Sequence, residues 1–137
     1  MQNYLPPLSL FLTPELSSEG VIAHIYEEGT KMPHVDAIDV GEFAAAALLE
    51  PEKFRGEEIE LGSENLTVDE VVGKMKAIGG VEVGVRKRSE EETKRVWDSN
   101  PTQRFQRLAN EKDLSINGSA LAEKYGIQLT SLDGFLA

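Results

Sequence analysis

The stretch from Asp39 to Pro51 limits the fold more than any other part of the chain. Asp39 and Glu42 stand three apart, the spacing of a capping box in which one carboxylate accepts free amide N–H groups and the other reaches back. Phe43, Ala44, Ala45, Ala46, Ala47, Leu48 and Leu49 follow, mostly strong helix formers, and Pro51 stops the helix. The alanine run lets such a helix lie close against a sheet. The expectation is therefore a layered fold of helix on sheet.

The remaining elements alternate around this helix. Ile22 to Tyr26 reads as a short strand with period-2 character, and His34 to Ala37 as an extended piece after Pro33. Glu57 to Leu61 alternates as a second strand, and Val81, Val83 and Val85 mark a third. Thr67 with Glu70 caps a helix carrying Val68, Val71, Val72 and Met75, which Gly79-Gly80 ends. Ser89 with Glu92 opens another that runs to Trp97. Asn100-Pro101 starts a helix with Phe105 and Leu108 on one face. Leu121, Ala122 and Tyr125 form a short helix closed by Gly126, and Leu132, Phe135 and Leu136 a last turn. The order predicts an α/β fold, or α+β as an isolated piece. It would have a small mixed sheet of three or four short strands and about five helices. Residues 1–137 read as one module. Pro6-Pro7 mark residues 1–20 as an extended N-terminal segment, whose Leu8, Leu10, Phe11 and Leu12 need burial somewhere.

Charge and composition exclude several classes. Acidic residues number 24 against 14 basic ones, a net charge of −10, so bulk nucleic acid is an unfavourable partner. No cysteine is present, which removes disulfides, thiolate metal sites and a cysteine nucleophile. His24 and His34 are thin material for zinc. No apolar run approaches the roughly 20 residues that span a bilayer. No basic region precedes the first apolar stretch, so no leader is read and a cytoplasmic location is expected. The cations gather late, at Arg86, Lys87, Arg88, Lys94, Arg95, Arg104 and Arg107. They could form an anion site for a cofactor phosphate. The better reading is a solvated helix face paired with Glu90, Glu91 and Glu92.

Motifs for catalysis are missing. Gly62-Ser63 and Gly79-Gly80 lack the spacing of a dinucleotide or phosphate loop. None of Tyr4, Tyr26 and Tyr125 has a lysine four residues later, as a short-chain reductase would use, and no His-Glu-x-x-His helix occurs. The residues alone describe an acidic α/β module without a catalytic constellation.

A resemblance adds to this. Val35 to Gly56 contains the aspartate-glycine helix start Asp39-Val40-Gly41 and the turn Pro51-Glu52-Lys53-Phe54-Arg55-Gly56. Glu58 to Val71 continues with a strand and a threonine-capped helix. Together they resemble the NmrA-like family, atypical short-chain dehydrogenase relatives that bind NAD(P). Tyr125 to Leu136 resembles the family's closing segment, and Met1-Gln2-Asn3 a short stretch near its substrate pocket. The resemblance implies the substrate-side, C-terminal part of such a protein, lacking the N-terminal dinucleotide-binding half and its Gly-rich fingerprint. It implies NAD(P) as the family's cofactor, with no cofactor site evident in this chain.

From the resemblance, Asn3 and Tyr4 are candidate substrate-binding residues. Trp97 joins them as an aromatic that could line a cleft. His34, Asp36 and Tyr4 are the acid/base candidates. His34 reads more simply as a solvent-facing loop residue, Asp36 as a strand end and Asp39 as a helix cap. The functional expectation is a binding module, not redox-active alone, for a small organic ligand or a partner protein. Homo-oligomerisation, or a protein that supplies the missing half, belongs to the same expectation; nucleic acid and membrane do not. The alternative is a pocket enzyme, an isomerase, cyclase or NAD(P)H-dependent oxidoreductase.

Overall fold

The computed structural model describes residues 14–100 and 102–137. Asn3, Tyr4 and the apolar set from Leu8 to Leu12 lie outside them. In chain order the elements are α1 (Pro14–Glu19), β1 (Val21–His24), β2 (Met32–His34), α2 (Ala37–Leu49), α3 (Pro51–Phe54) and β3 (Glu64–Leu66). There follow α4 (Val68–Ala77), β4 (Gly84–Lys87), α5 (Glu90–Val96), α6 (Thr102–Glu111), α7 (Gly118–Tyr125) and α8 (Leu132–Leu136). The class is the expected mixed α/β. The stretch 14–19, at the end of the segment read as extended, is helical.

Among the described residues the strands form two pairs rather than one mixed sheet. β1 and β4 run parallel, from Val21 opposite Gly84 to His24 opposite Lys87. Arg88 N–H donates to the His24 carbonyl at 2.7 Å and extends the ladder. Gly84 is required by this approach, because a Cβ there would stand 2.8 Å from Val21 Cγ1. β2 and β3 run antiparallel, with Met32 opposite Leu66 and His34 opposite Glu64. The strand read at Glu57–Leu61 does not form. Glu57 N–H closes a turn onto the Phe54 carbonyl, and β2 is met further along, at Glu64–Leu66.

Capping decides the helix starts. Thr67 with Glu70 and Ser89 with Glu92 form the two reciprocal boxes read from the sequence. The start of α2 differs. Asp36, extended at φ −74 and ψ 141, is the cap, and its carboxylate accepts from Ile38 N–H at 2.8 Å. Asp39 therefore falls inside the first turn and points inward. It accepts from Thr130 N–H at 2.7 Å and Thr130 Oγ1 at 2.8 Å. A left-handed Gly126 (φ 70) closes α7.

Ile22, Leu66, Val71, Met75, Val83 and Leu132 form the core, with Leu16, Val72 and Leu136 packed on its edge. Arg88 is buried, not solvated as its neighbours on α5 are. Its guanidinium forks onto Glu15 of α1, with Nη2 at 2.8 Å from both carboxylate oxygens. Among the described residues no helix is long and apolar enough to cross a membrane.

Candidate functional site

An open cleft of about 710 Å³ lies at the carboxyl ends of the parallel pair, between α5 and α6. Ile25 and Glu27 border it after β1, Lys87 and Arg88 after β4, Trp97 from the end of α5, and Arg107 and Asn110 from α6. In α/β sheets this end of the strands is where ligands are usually held. The local sequence builds the wall directly. Ser89 caps α5 two residues after β4 ends, so α5 rises straight from the strand.

The floor comes from an inversion in α6. That helix buries Gln103, Gln106 and Ala109 and turns Phe105 and Leu108 outward. Gln106 Oε1 accepts from Ile25 N–H at 2.8 Å. Asn110 Oδ1 accepts from Glu27 N–H at 2.9 Å, and its Nδ2 donates to the Ile25 carbonyl at 2.8 Å. These carboxamides hold the main chain just past the end of β1.

The charges in the cleft are mostly matched. Lys87 meets Glu27 at 2.7 Å, and Arg107 meets Glu111 at 3.3 Å. Arg107 also lies over the Trp97 ring, 5.7 Å from its centroid. Lys94 makes no ion pair among the described residues. A balanced wall with an indole–guanidinium platform suits a planar organic molecule better than a highly charged one.

The sequence candidates separate. Trp97 lines the cleft; His34 and Asp36 do not. His34 is buried on β2, not solvent-facing. Its carbonyl accepts from Ser63 N–H at 2.7 Å and Ser63 Oγ at 3.0 Å. It borders a separate interior cavity of about 20 Å³, with room for one water molecule. Asp36 is committed to its cap. Asn3 and Tyr4 lie outside the described residues. Gln106, Asn110 and Glu15 were not singled out from the sequence. The i,i+4 spacing of Gln106 and Asn110 was the available signal.

His24 closes the end of β1 beside the cleft. Burial pushes its pKa below 6.5, with Lys87 and Arg88 adding to the shift and Asp69 opposing it. Its Nδ1 accepts from Tyr26 N–H at 3.1 Å, as a neutral ring does.

A model of the NmrA-like family matches residues 1–132. The chain belongs to the NmrA-like family. No curated protein and no solved structure matches it. The NmrA-like family binds NAD(P), but the described strand ends do not form a phosphate cradle. The β4–α5 turn, Arg88-Ser89, holds no glycine, and the first turn of α5 carries Glu90, Glu91 and Glu92. Ser89 Oγ already takes the Glu92 amide, and the Glu92 carboxylate takes the Ser89 amide. A pyrophosphate would meet three carboxylates and occupied N–H groups. Of the described glycines with positive φ (Gly20, Gly29, Gly56, Gly80 and Gly126), Gly29 alone lies in the loop after a parallel strand, and that loop leads into β2 rather than into a helix.

Proposed function

We propose that this NmrA-like chain is a binding module for a small organic molecule, held in the cleft between α5 and α6, and that it does not carry out redox chemistry by itself. One observation carries the reading. The open Trp97–Arg107 cleft adjoins a helix start where Ser89 and Glu92 take each other's amides and Glu90 and Glu91 add negative charge. The cleft offers the flat surface of Trp97 under Arg107 and carboxamides at the floor, within a lining that is otherwise mostly charged.

Trp97 is the single tryptophan, so its fluorescence reports on the cleft directly. Thermal melts with and without NADPH, and titrations of Trp97 emission with planar organic compounds, test the proposal. The expected result is a cooperative melt that NADPH leaves in place and saturable quenching by one compound class. An upward shift of several degrees with NADPH, or saturable NADPH consumption, overturns it.

A further inference from the structure

Two exposed helix faces of this chain match each other. α2 turns Ile38, Leu48 and Leu49 to solvent at 70%, 84% and 82% exposure. These positions recur at helical spacing, so with Gly41 and Ala45 they form one stripe along the helix. Glu42 lies within the stripe, and Glu50 and Glu52 follow its end. α6 turns out Phe105, 57% exposed, and Leu108, between Arg104 and Lys112, while Glu111 on the same side is paired with Arg107. Arg104 and Lys112 make no ion pair among the described residues. One face is apolar with an acidic rim; the other is apolar with a basic rim.

We infer that the α2 face of one copy docks on the α6 face of a second copy. Charge chooses this pairing. α2 against α2 would set Glu42 against Glu42, and α6 against α6 would oppose Arg104 and Lys112 to themselves. Only α2 against α6 covers both apolar stripes and brings unlike charges together. Because the two surfaces differ, the contact is head-to-tail, and a dimer formed this way still has one free face of each kind. Assembly therefore continues beyond two copies or closes into a ring. The inference is independent of what the cleft binds.

Sedimentation of the full chain from roughly micromolar to millimolar concentration tests it. Two variants each lose one face: Leu48→Ser/Leu49→Ser on α2 and Arg104→Ser/Phe105→Ser on α6. Circular dichroism and a melt confirm their fold, and the single changes Ile38→Ser and Leu108→Ser replace any that unfolds. The wild type is expected to gain mass with concentration, and each variant alone to stay at the monomer mass. An equimolar mixture is expected to form a 1:1 pair of twice the monomer mass and nothing larger, since each member keeps one competent face. A wild type that stays monomeric throughout, a variant that assembles like the wild type, or a mixture that stays monomeric overturns the inference. A monomeric wild type would assign both faces to a different protein.

Discussion

Asn110 grips the main chain at Ile25 as a neighbouring strand would. Its Nδ2 donates to the Ile25 carbonyl at 2.8 Å, and its Oδ1 accepts from the Glu27 amide at 2.9 Å. A helix side chain thus holds the main chain just past the end of β1, at Ile25 and Glu27.

Loss of that grip should be measurable. Asn110→Ala leaves a carbonyl and an amide unpaired at a half-buried edge, at an expected cost of about 1–3 kcal/mol in urea denaturation. Asn110→Asp keeps the acceptor and loses the donor, so its stability should fall between wild type and the alanine variant.

Asp39 ties α2 to the C-terminal segment across 91 residues of sequence through both bonds to Thr130. Asp39→Ala should cost about 2–4 kcal/mol, since it strips two buried donors of their charged acceptor. Hydrogen exchange at Thr130 should accelerate well before exchange in β1. Equal acceleration everywhere would show that Asp39 acts on the whole fold instead.

The lowered pKa of His24 makes stability depend on pH in a defined direction. The unfolded chain takes up a proton near pH 6.5, while the folded ring resists until a lower pH. The contribution is complete above about 6.5 and lost as pH falls from there through the folded value. His24→Gln should flatten this part of the stability profile. The losses from Glu57, Glu70 and Glu92, all with lowered pKa, begin only below 4.5 and should remain.

Gly118 begins α7 pressed against the backbone of the segment just before β3. A Cβ there would stand 2.3 Å from the Ser63 carbonyl oxygen and 2.7 Å from that of Gly62. Neither can retreat as a side chain would. Gly118→Ala is expected to destabilise by about 1–3 kcal/mol or more, despite alanine's better helix propensity. Gly73, in the middle of α4, has open space around its Cβ position, so Gly73→Ala should stabilise by about 0.5–1 kcal/mol.

Local signals in the sequence were readable, and long-range ones were not. Thr67–Glu70 and Ser89–Glu92 are complete within four residues, so their helix starts could be read directly. Asp36 and Asp39 are equally good caps by type. What separates them is Thr130, whose donors claim Asp39 and which no window around α2 contains. Glu57–Leu61 alternates as a strand should, but a strand needs a partner, and β2 takes Glu64–Leu66 instead. The orientation of α6 runs against its apolar pattern, because Gln106 and Asn110 face inward to bond the main chain at Ile25 and Glu27. Of the cleft, the sequence showed Trp97 and the cations Lys87, Arg88, Lys94 and Arg107 as types. It did not show which would be matched by carboxylates, since Glu15 and Glu27 come from far along the chain.

The fork between Glu15 and Arg88 gives α1 a second role. The carboxylate that neutralises a cation in the cleft wall belongs to the most N-terminal element described. Cut the chain at Gly20 and Arg88 loses its counter-ion while Ile22 and Val83 remain to hold the strands. A site balanced between positive and negative would then carry an excess cation. If the cleft binds a small molecule as proposed, the shortened chain should favour anionic compounds more than the intact chain does. The charge of the cleft wall is thus set from the far N-terminal side of the described chain.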